Sequence, residues 1–223
     1  MAVTAHDVAR SLPDIATLRE RCRALAVLEA ILSPEEESRY YSFTSAWSED
    51  EELASMDNGS GDAWSIVFPP AGAFLRGFDH ESSMSPAVHD EELWPGLINT
   101  VPEVFSAAVK EPAFNYEGKL EATVCLWRQT GDDRWHVGDI DFPDRPDPDG
   151  AERLFSVLLD PTGLAYHRFA EDYYGKTVDL DAVREVFALT PLTASLVRRL
   201  NADRSTAALL ADLSYIGYPS RLA

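Results

Sequence analysis

Two kinds of spacing separate apolar from polar positions along the chain. Over residues 13–32 the apolar residues recur every three or four positions, which predicts one amphipathic helix. Its predicted stripe is Ile15, Leu18, Cys22, Leu25, Leu28 and Leu32. Ser33, Pro34 and Glu36 have the spacing of a helix start, so a second short helix is predicted to end at Tyr40, Tyr41 and Phe43.

The period changes to two further along the chain. "AWSIVF" (63–68) and "AFLRGF" (73–78) alternate in the manner of strands, and "PPAG" between them is typical of a tight turn. A second hairpin is predicted at 120–138, where "LEATVCLWR" and "RWHVG" flank the turn "QTGDD". Residues 44–62 are predicted to be a loop or, around 51–56, a short acidic helix.

Between the hairpins, Thr100 and Glu103 have capping-box spacing and Pro112 is a stop, which predicts a helix there. From about residue 147 onwards, apolar periodicity and capping residues predict about five helices, with caps at Asp179, Thr193 and either Asp203 or Ser205, and a stop at Gly217. Strands grouped together and helices grouped together favour the α+β class over a parallel α/β sheet. We therefore expect an antiparallel sheet of about four strands in two hairpins, packed with N-terminal helices and this C-terminal helical group. The expected organisation is a single domain over 1–223, with a helical subdomain at 150–223 as the alternative.

Charge is the strongest compositional signal. The 223 residues carry a formal net charge of −19, and residues 40–152 hold 23 acids against 6 bases. Such a field repels nucleic-acid phosphates and anionic lipid headgroups and attracts a basic protein surface. The sequence therefore predicts a basic protein partner, with no nucleic acid and no membrane. It gives no indication of an oligomeric state.

The expected location is the cytoplasm. No stretch approaches the roughly 18 uninterrupted apolar residues of a membrane-spanning helix. The first ten residues lack the apolar core of a secretory signal. Cys22 and Cys125 stand in apolar surroundings, where two buried reduced thiols are expected.

Candidate chemistry is concentrated where the first hairpin ends, at Asp79, His80 and Glu81. Neighbours on an extended chain point to opposite faces, so all three side chains cannot converge on one ion. Asp79 and Glu81 could share an ion, whereas His80 would need partners from elsewhere. His136 and Asp139, in "WHVGDID", are the natural additional ligands if the two strand ends are neighbours. The competing interpretation is a polar rim where a strand leaves the sheet. The sequence lacks HExxH, CxxC, GxSxG and P-loop motifs, so no catalytic residue, resident metal or cofactor is predicted.

Four stretches carry a resemblance to a known group of proteins: "ASMDNGSGDAWSIVF", "FLRGFDHESSMSP", "CLWRQTGDDRWHVGDIDFP" and "FAEDYYGKTVDLDAVREVF". Together they resemble a family of uncharacterised bacterial proteins, common in actinobacteria, over essentially the whole chain. That resemblance implies no activity and adds no catalytic residue. A looser similarity, in acidity and α+β organisation, is to small bacterial immunity and regulatory proteins.

Two functional hypotheses follow. The first is a non-enzymatic cytosolic binding protein of the inhibitor, immunity or regulatory kind, whose acidic middle region engages a basic partner. The second is a metal-dependent hydrolase that uses His80 and His136 with the nearby carboxylates Asp79, Glu81 and Asp139.

Overall fold

The computed structural model describes residues 3–89 and 91–222 and confirms the α+β class. Eight α-helices lie in this described part: α1 (Ala5–Ser11), α2 (Ile15–Leu32), α3 (Ser106–Val109), α4 (Ala151–Leu159), α5 (Leu164–Tyr174), α6 (Leu180–Phe187), α7 (Ala194–Leu200) and α8 (Thr206–Ile216). The strands are β1 (Tyr41–Thr44), β2 (Glu52–Asp57), β3 (Ala63–Phe68), β4 (Gly72–Phe78), β5 (Asn115–Tyr116), β6 (Lys119–Leu120), β7 (Val124–Gln129) and β8 (His136–Val137). Helix and strand thus segregate along the chain as the pattern predicted.

The main sheet has six strands in the order β1–β2–β3–β4–β7–β8, so the expectation of about four strands was wrong. Both predicted hairpins are present and antiparallel: β3 pairs with β4, and β7 pairs with β8. Strand β4 also pairs with β7, which joins the two hairpins. A separate two-stranded sheet forms from β5 and β6 and contains Leu120, which had been placed on the second hairpin.

The two unpredicted strands of the main sheet, β1 and β2, lie where local composition favours other structures. In β1 the buried residues Tyr41 and Phe43 alternate with exposed Ser42, a strand pattern too short to separate from the end of a helix. In β2 the sequence "ELASMD" is rich in good helix formers, which explains the prediction of a loop or an acidic helix. Pairing within a sheet overrode these weak local preferences.

The helical predictions fared better. The C-terminal group contains five helices, α4 to α8. Asp179, Thr193 and Ser205 cap α6, α7 and α8 through their side chains, and Gly217 ends α8 in the left-handed conformation. Helix α1 was not predicted, and the helix expected at residues 100–111 shrinks to one turn of 3-10 helix followed by α3.

The chain divides into two compact units. Unit 1 comprises Met1–Ile15 and Ser55–Leu159, and unit 2 comprises Ala16–Ala54 and Asp160–Ala223. Both are discontinuous in sequence, and one boundary falls inside β2. This division does not follow the alternative boundary near residue 150, because α4 belongs to unit 1. Whether the chain is one domain stays a prediction.

Each unit has its own apolar core. The largest fully buried side chains of unit 1 come from its strands, the 3-10 turn and α4: Trp64, Ile66, Phe68, Phe74, Leu75, Phe105 and Phe155. Those of unit 2 come from α2 and α5: Leu18, Leu25, Leu28, Ile31 and Tyr166. Cys22 and Cys125 are both buried free thiols, as expected, and burial raises the pKa of each thiol. No helix in the described residues combines the length and apolarity needed to cross a bilayer.

Candidate functional site

Three segments of unit 1 meet around Asp79 and His80, two of the predicted site residues. The first is the β2–β3 turn, which ends at Asp62, and the second is the exit of β4, at Asp79 and His80. The third is the start of α4, which contributes Arg153. Ligand atoms of Asp62, Asp79 and His80 all lie within 4.8 Å of one another. The fold therefore brings Asp62, Asp79 and His80 into a compact cluster. The predicted residues Glu81, His136 and Asp139 are not part of it.

Asp62 is the centre of this cluster. Its Oδ1 accepts hydrogen bonds from the backbone N–H of His80 (3.2 Å) and from His80 Nδ1 (2.8 Å). Its Oδ2 accepts one from Asn58 Nδ2 (2.7 Å) and forms an ion pair with Arg153. Burial opposes ionisation of Asp62, but the hydrogen bonds from Arg153 and His80 outweigh it and lower its pKa to about 2. Asp62 is therefore a carboxylate at all ordinary pH values.

Arg153 joins the two buried carboxylates. Its Nη2 lies 2.8 Å from Asp79 Oδ2, and its Nη1 contacts Asp62. A guanidinium that pairs with two carboxylates supplies the positive charge that a divalent cation would otherwise supply. Asp62, Asp79 and His80 could hold a metal ion only if Arg153 moved away, so the arrangement as built is an Arg–Asp–Asp–His network.

Tight packing fixes Asp79 in this network. Gly150 approaches so closely that an added Cβ would lie 2.3 Å from Asp79 Oδ2, and its φ of +77° also favours glycine. Asp79 Oδ1 accepts the backbone N–H of Glu81 (2.9 Å), and its own N–H donates to Thr123 Oγ1 (3.2 Å). Because these partners surround its side chain, the role of Asp79 is structural: its carboxylate accepts hydrogen bonds that fix the chain at the end of β4.

His80 retains a free ring nitrogen. Its Nδ1 pairs with Asp62, which favours the tautomer with the proton on Nδ1. Within the described residues its Nε2 has no hydrogen-bond partner, and 42% of the side chain is exposed. An imidazole oriented by a carboxylate with its second nitrogen open to solvent can accept a proton or bind a polar group.

The other predicted site residues lie elsewhere. His136 Nε2 faces Asp132 Oδ2 at 3.3 Å, within the β7–β8 hairpin. His136 pairs with Trp127, and Trp127 pairs with Phe74, which lies four residues before the end of β4. At about 3.3 Å per residue, His136 is separated along the strands from that end by roughly 13 Å. Glu81 and Asp139 are exposed, so the structure brings together Asp79 and His80 alone of the five.

Sequence analysis missed Asp62 and Arg153. Asp62 closes "DNGSGD", which was interpreted as a turn, and its buried position has no local signature. Arg153 lies 91 residues further along the chain. One available signal was the shortage of bases between Arg39 and Lys110, because buried carboxylates there need a cation from a distant segment.

The surface of unit 1 is the second notable feature. Unit 1 contains 21 acids and 8 bases, a net charge of −13, whereas unit 2 contains 17 acids and 11 bases, a net charge of −6. Eleven exposed carboxylates of unit 1 form no ion pair with any described residue: Asp57, Glu81, Glu91, Glu92, Glu103, Glu117, Asp133, Asp139, Asp141, Asp144 and Glu152. These side chains are available to an external cation or cationic surface.

Comparisons with protein-family models, with curated proteins and with solved structures found no match to this chain.

Proposed function

We propose that this protein is a non-enzymatic binding protein whose unit 1 engages a basic protein partner. The observation that carries the proposal is the set of eleven exposed carboxylates on unit 1 without an ion pair to any described residue. Unneutralised carboxylates repel one another, and a cationic partner relieves that repulsion while gaining attraction of its own.

Unit 2 supplies the contrast that supports this assignment. Several of its carboxylates are already neutralised within the unit. Arg199 pairs with Asp179 and Glu185, Arg184 pairs with Asp181, and Asp212 lies between two arginines. Unit 2 also exposes unpaired carboxylates, but its net charge is −6 against −13 for unit 1, so unit 1 is the more negative of the two.

The alternative, a metal-dependent hydrolase, has weaker support. It would use the Asp62–Asp79–His80 group, where Arg153 already bridges both carboxylates. Of its other predicted ligands, His136 lies on β8, away from the end of β4, and Asp139 is exposed. Binding through the acidic surface requires no such rearrangement.

Affinity capture at two salt concentrations tests the proposal. The tagged full-length chain is incubated with a cell lysate at about 50 mM and at about 500 mM salt, because surface electrostatics are strongly screened at the higher value. We expect a retained protein with a basic surface at the lower concentration and its release at the higher one. Retention of no partner, or retention that does not change with salt, would contradict an electrostatic partner.

A further inference from the structure

Unit 1 contains a pocket of about 470 Å³ beside its small two-stranded sheet. Its apolar walls are Leu93, Ile98, Val109, Pro112 and Leu120. The volume falls in the range of natural ligand pockets, roughly 300–1,000 Å³, and would hold one large apolar side chain with room around it. These five side chains recognise an apolar group, and Lys110, Asn115 and Gly118 complete the lining.

The segments that build the pocket also carry acids. Glu91 and Glu92 immediately precede the wall residue Leu93, and Glu117 precedes Gly118, which also lines the pocket. All three carboxylates are exposed and lack an ion pair with described residues. Lys119 Nζ donates to the backbone oxygen of Glu91 (3.1 Å), so the two acidic segments lie side by side.

We propose that this pocket takes an apolar anchor side chain of the basic partner, with flanking lysines or arginines of that partner at Glu91, Glu92 and Glu117. This inference rests on the proposed function and names the part of unit 1 at which the partner docks. Interfaces typically place an apolar anchor in a pocket within a polar rim, and charge complementarity around it selects the partner.

Lys110 distinguishes two possible ligands of this pocket, an apolar side chain of a basic partner and an anionic amphiphile such as a fatty acid. Its side chain lines the pocket and is exposed. A carboxylate ligand would gain an ion pair with Lys110, whereas a cationic peptide would be repelled by it. The substitution Lys110→Glu should therefore tighten binding of a basic peptide and would weaken binding of an anionic ligand.

Two pentapeptides test the inference on the full-length chain. One carries phenylalanine between two pairs of lysines, and the other carries alanine in its place. Nuclear magnetic resonance titrations of the isotope-labelled protein at low salt give both the affinity and the positions of the shifted amides. Burying a phenylalanine side chain should strengthen binding about tenfold or more, with shifts around Leu93 and Leu120.

Two variants test whether the phenylalanine side chain of the peptide occupies this pocket. Leu93→Trp fills the pocket and should remove the advantage of the phenylalanine peptide, while both peptides still bind weakly through charge. Val88→Trp places the same bulk at a side chain that is 65% exposed and outside the pocket lining, so it should leave the advantage intact. Should Leu93→Trp unfold the chain, Lys110→Glu reports on the same pocket from its exposed side.

The outcomes separate the two proposals. Binding of both peptides with equal affinity, or an advantage that survives Leu93→Trp, would overturn the pocket inference and leave the acidic binding surface standing. Failure of both peptides to bind at low salt would overturn the acidic surface as well. Weaker peptide binding in Lys110→Glu would contradict docking of a cationic segment at this pocket and would overturn the inference.

Discussion

Asp62 in unit 1 and Glu29 in unit 2 are both buried carboxylates, and their surroundings stabilise them in opposite ways. Asp62 is 2% exposed and pairs with the guanidinium of Arg153. Glu29 is fully buried and accepts four hydrogen bonds from neutral donors: Tyr166 and Tyr174 hydroxyls at 2.7 and 2.8 Å, and the backbone N–H groups of Tyr40 and Tyr41 at 2.6 and 3.4 Å. The difference shows in their protonation.

Burial raises the pKa of Glu29 because its hydrogen-bond donors only partly compensate for lost hydration. The pKa of Asp62 falls to about 2 despite burial, because Arg153 and His80 favour the ionised form. Glu29 thus acts as a polar connector within an apolar core, whereas Asp62 is a permanent charge. The two units also differ in net charge, −13 for unit 1 and −6 for unit 2.

The largest expected effect is at Glu29. Glu29→Ala leaves two tyrosine hydroxyls and two backbone N–H groups without their acceptor inside unit 2, and each orphaned buried group costs about 1–3 kcal/mol. We expect a loss of about 3–5 kcal/mol in the free energy of unfolding, measured by urea denaturation. Glu29→Gln keeps an acceptor oxygen and should lose less. A loss below about 1 kcal/mol for the alanine variant would show that the tyrosine network does not depend on Glu29.

Asp149 of unit 1 has a raised pKa like that of Glu29 and unlike the lowered pKa of Asp62. The cationic partner of Asp62, and not its location in unit 1, therefore accounts for its low pKa. It is fully buried and accepts the N–H groups of Ala5 (2.8 Å) and Ala151 (3.2 Å). Burial raises its pKa to about 6, above the ordinary value of 3.8. The folded state therefore binds this proton more tightly than the unfolded state, and stability falls as pH rises from about 4 to about 6, by as much as ~3 kcal/mol.

The measurement compares wild type with Asp149→Asn, which cannot titrate. Urea denaturation at pH 4 and pH 7 should show that the variant loses less stability than wild type across this range. Glu29 titrates in the same direction in both proteins, so the difference between them isolates Asp149. Parallel pH dependences in the two proteins would contradict the raised pKa.

Removal of Arg153 should have a smaller effect. Arg153→Met leaves Asp62 and Asp79 buried without their cation, but the arginine side chain is 49% exposed and solvent screens part of the interaction. We expect a loss of about 1–2 kcal/mol at pH 7. Because the pKa of Asp62 is lowered, its stabilising contribution is lost as pH falls from about 4 to 2, so the deficit should shrink there.

Arg145→Met is the matched control for this variant. Arg145 is exposed and forms no ion pair with any described residue, so its substitution should change stability by less than about 0.5 kcal/mol. Equal effects of the two substitutions, or a deficit for Arg153→Met that does not depend on pH, would show that the Arg–Asp–Asp network contributes nothing to the stability of unit 1.

The sequence predicted those elements that depend on residues close together in the chain. Helix α2, the β3–β4 hairpin and the caps Asp179 and Thr193 depend on neighbours a few residues away, and they were found where expected. The site required contacts across 91 residues, between Asp62 and Arg153, which periodicity does not encode. Alternation predicted that Asp79 and Glu81 would share a face and that His80 would point away from them, and this was wrong. Asp79 and His80 meet at Asp62 while Glu81 is exposed, because the chain turns after Asp79 instead of staying extended.

Two matched charge variants test most directly the central claim that the accessible negative charge of unit 1 binds a basic partner. One replaces Glu91, Glu92 and Glu117 of unit 1 by glutamine, and the other replaces the exposed Glu35, Glu36 and Glu37 of unit 2. Both change the net charge by the same amount. We predict that the unit 1 variant binds the lysine–phenylalanine peptide at least about tenfold more weakly at low salt, while the unit 2 variant binds within about twofold of wild type. Equal weakening in both variants would mean that net charge alone, and not this surface, attracts the peptide.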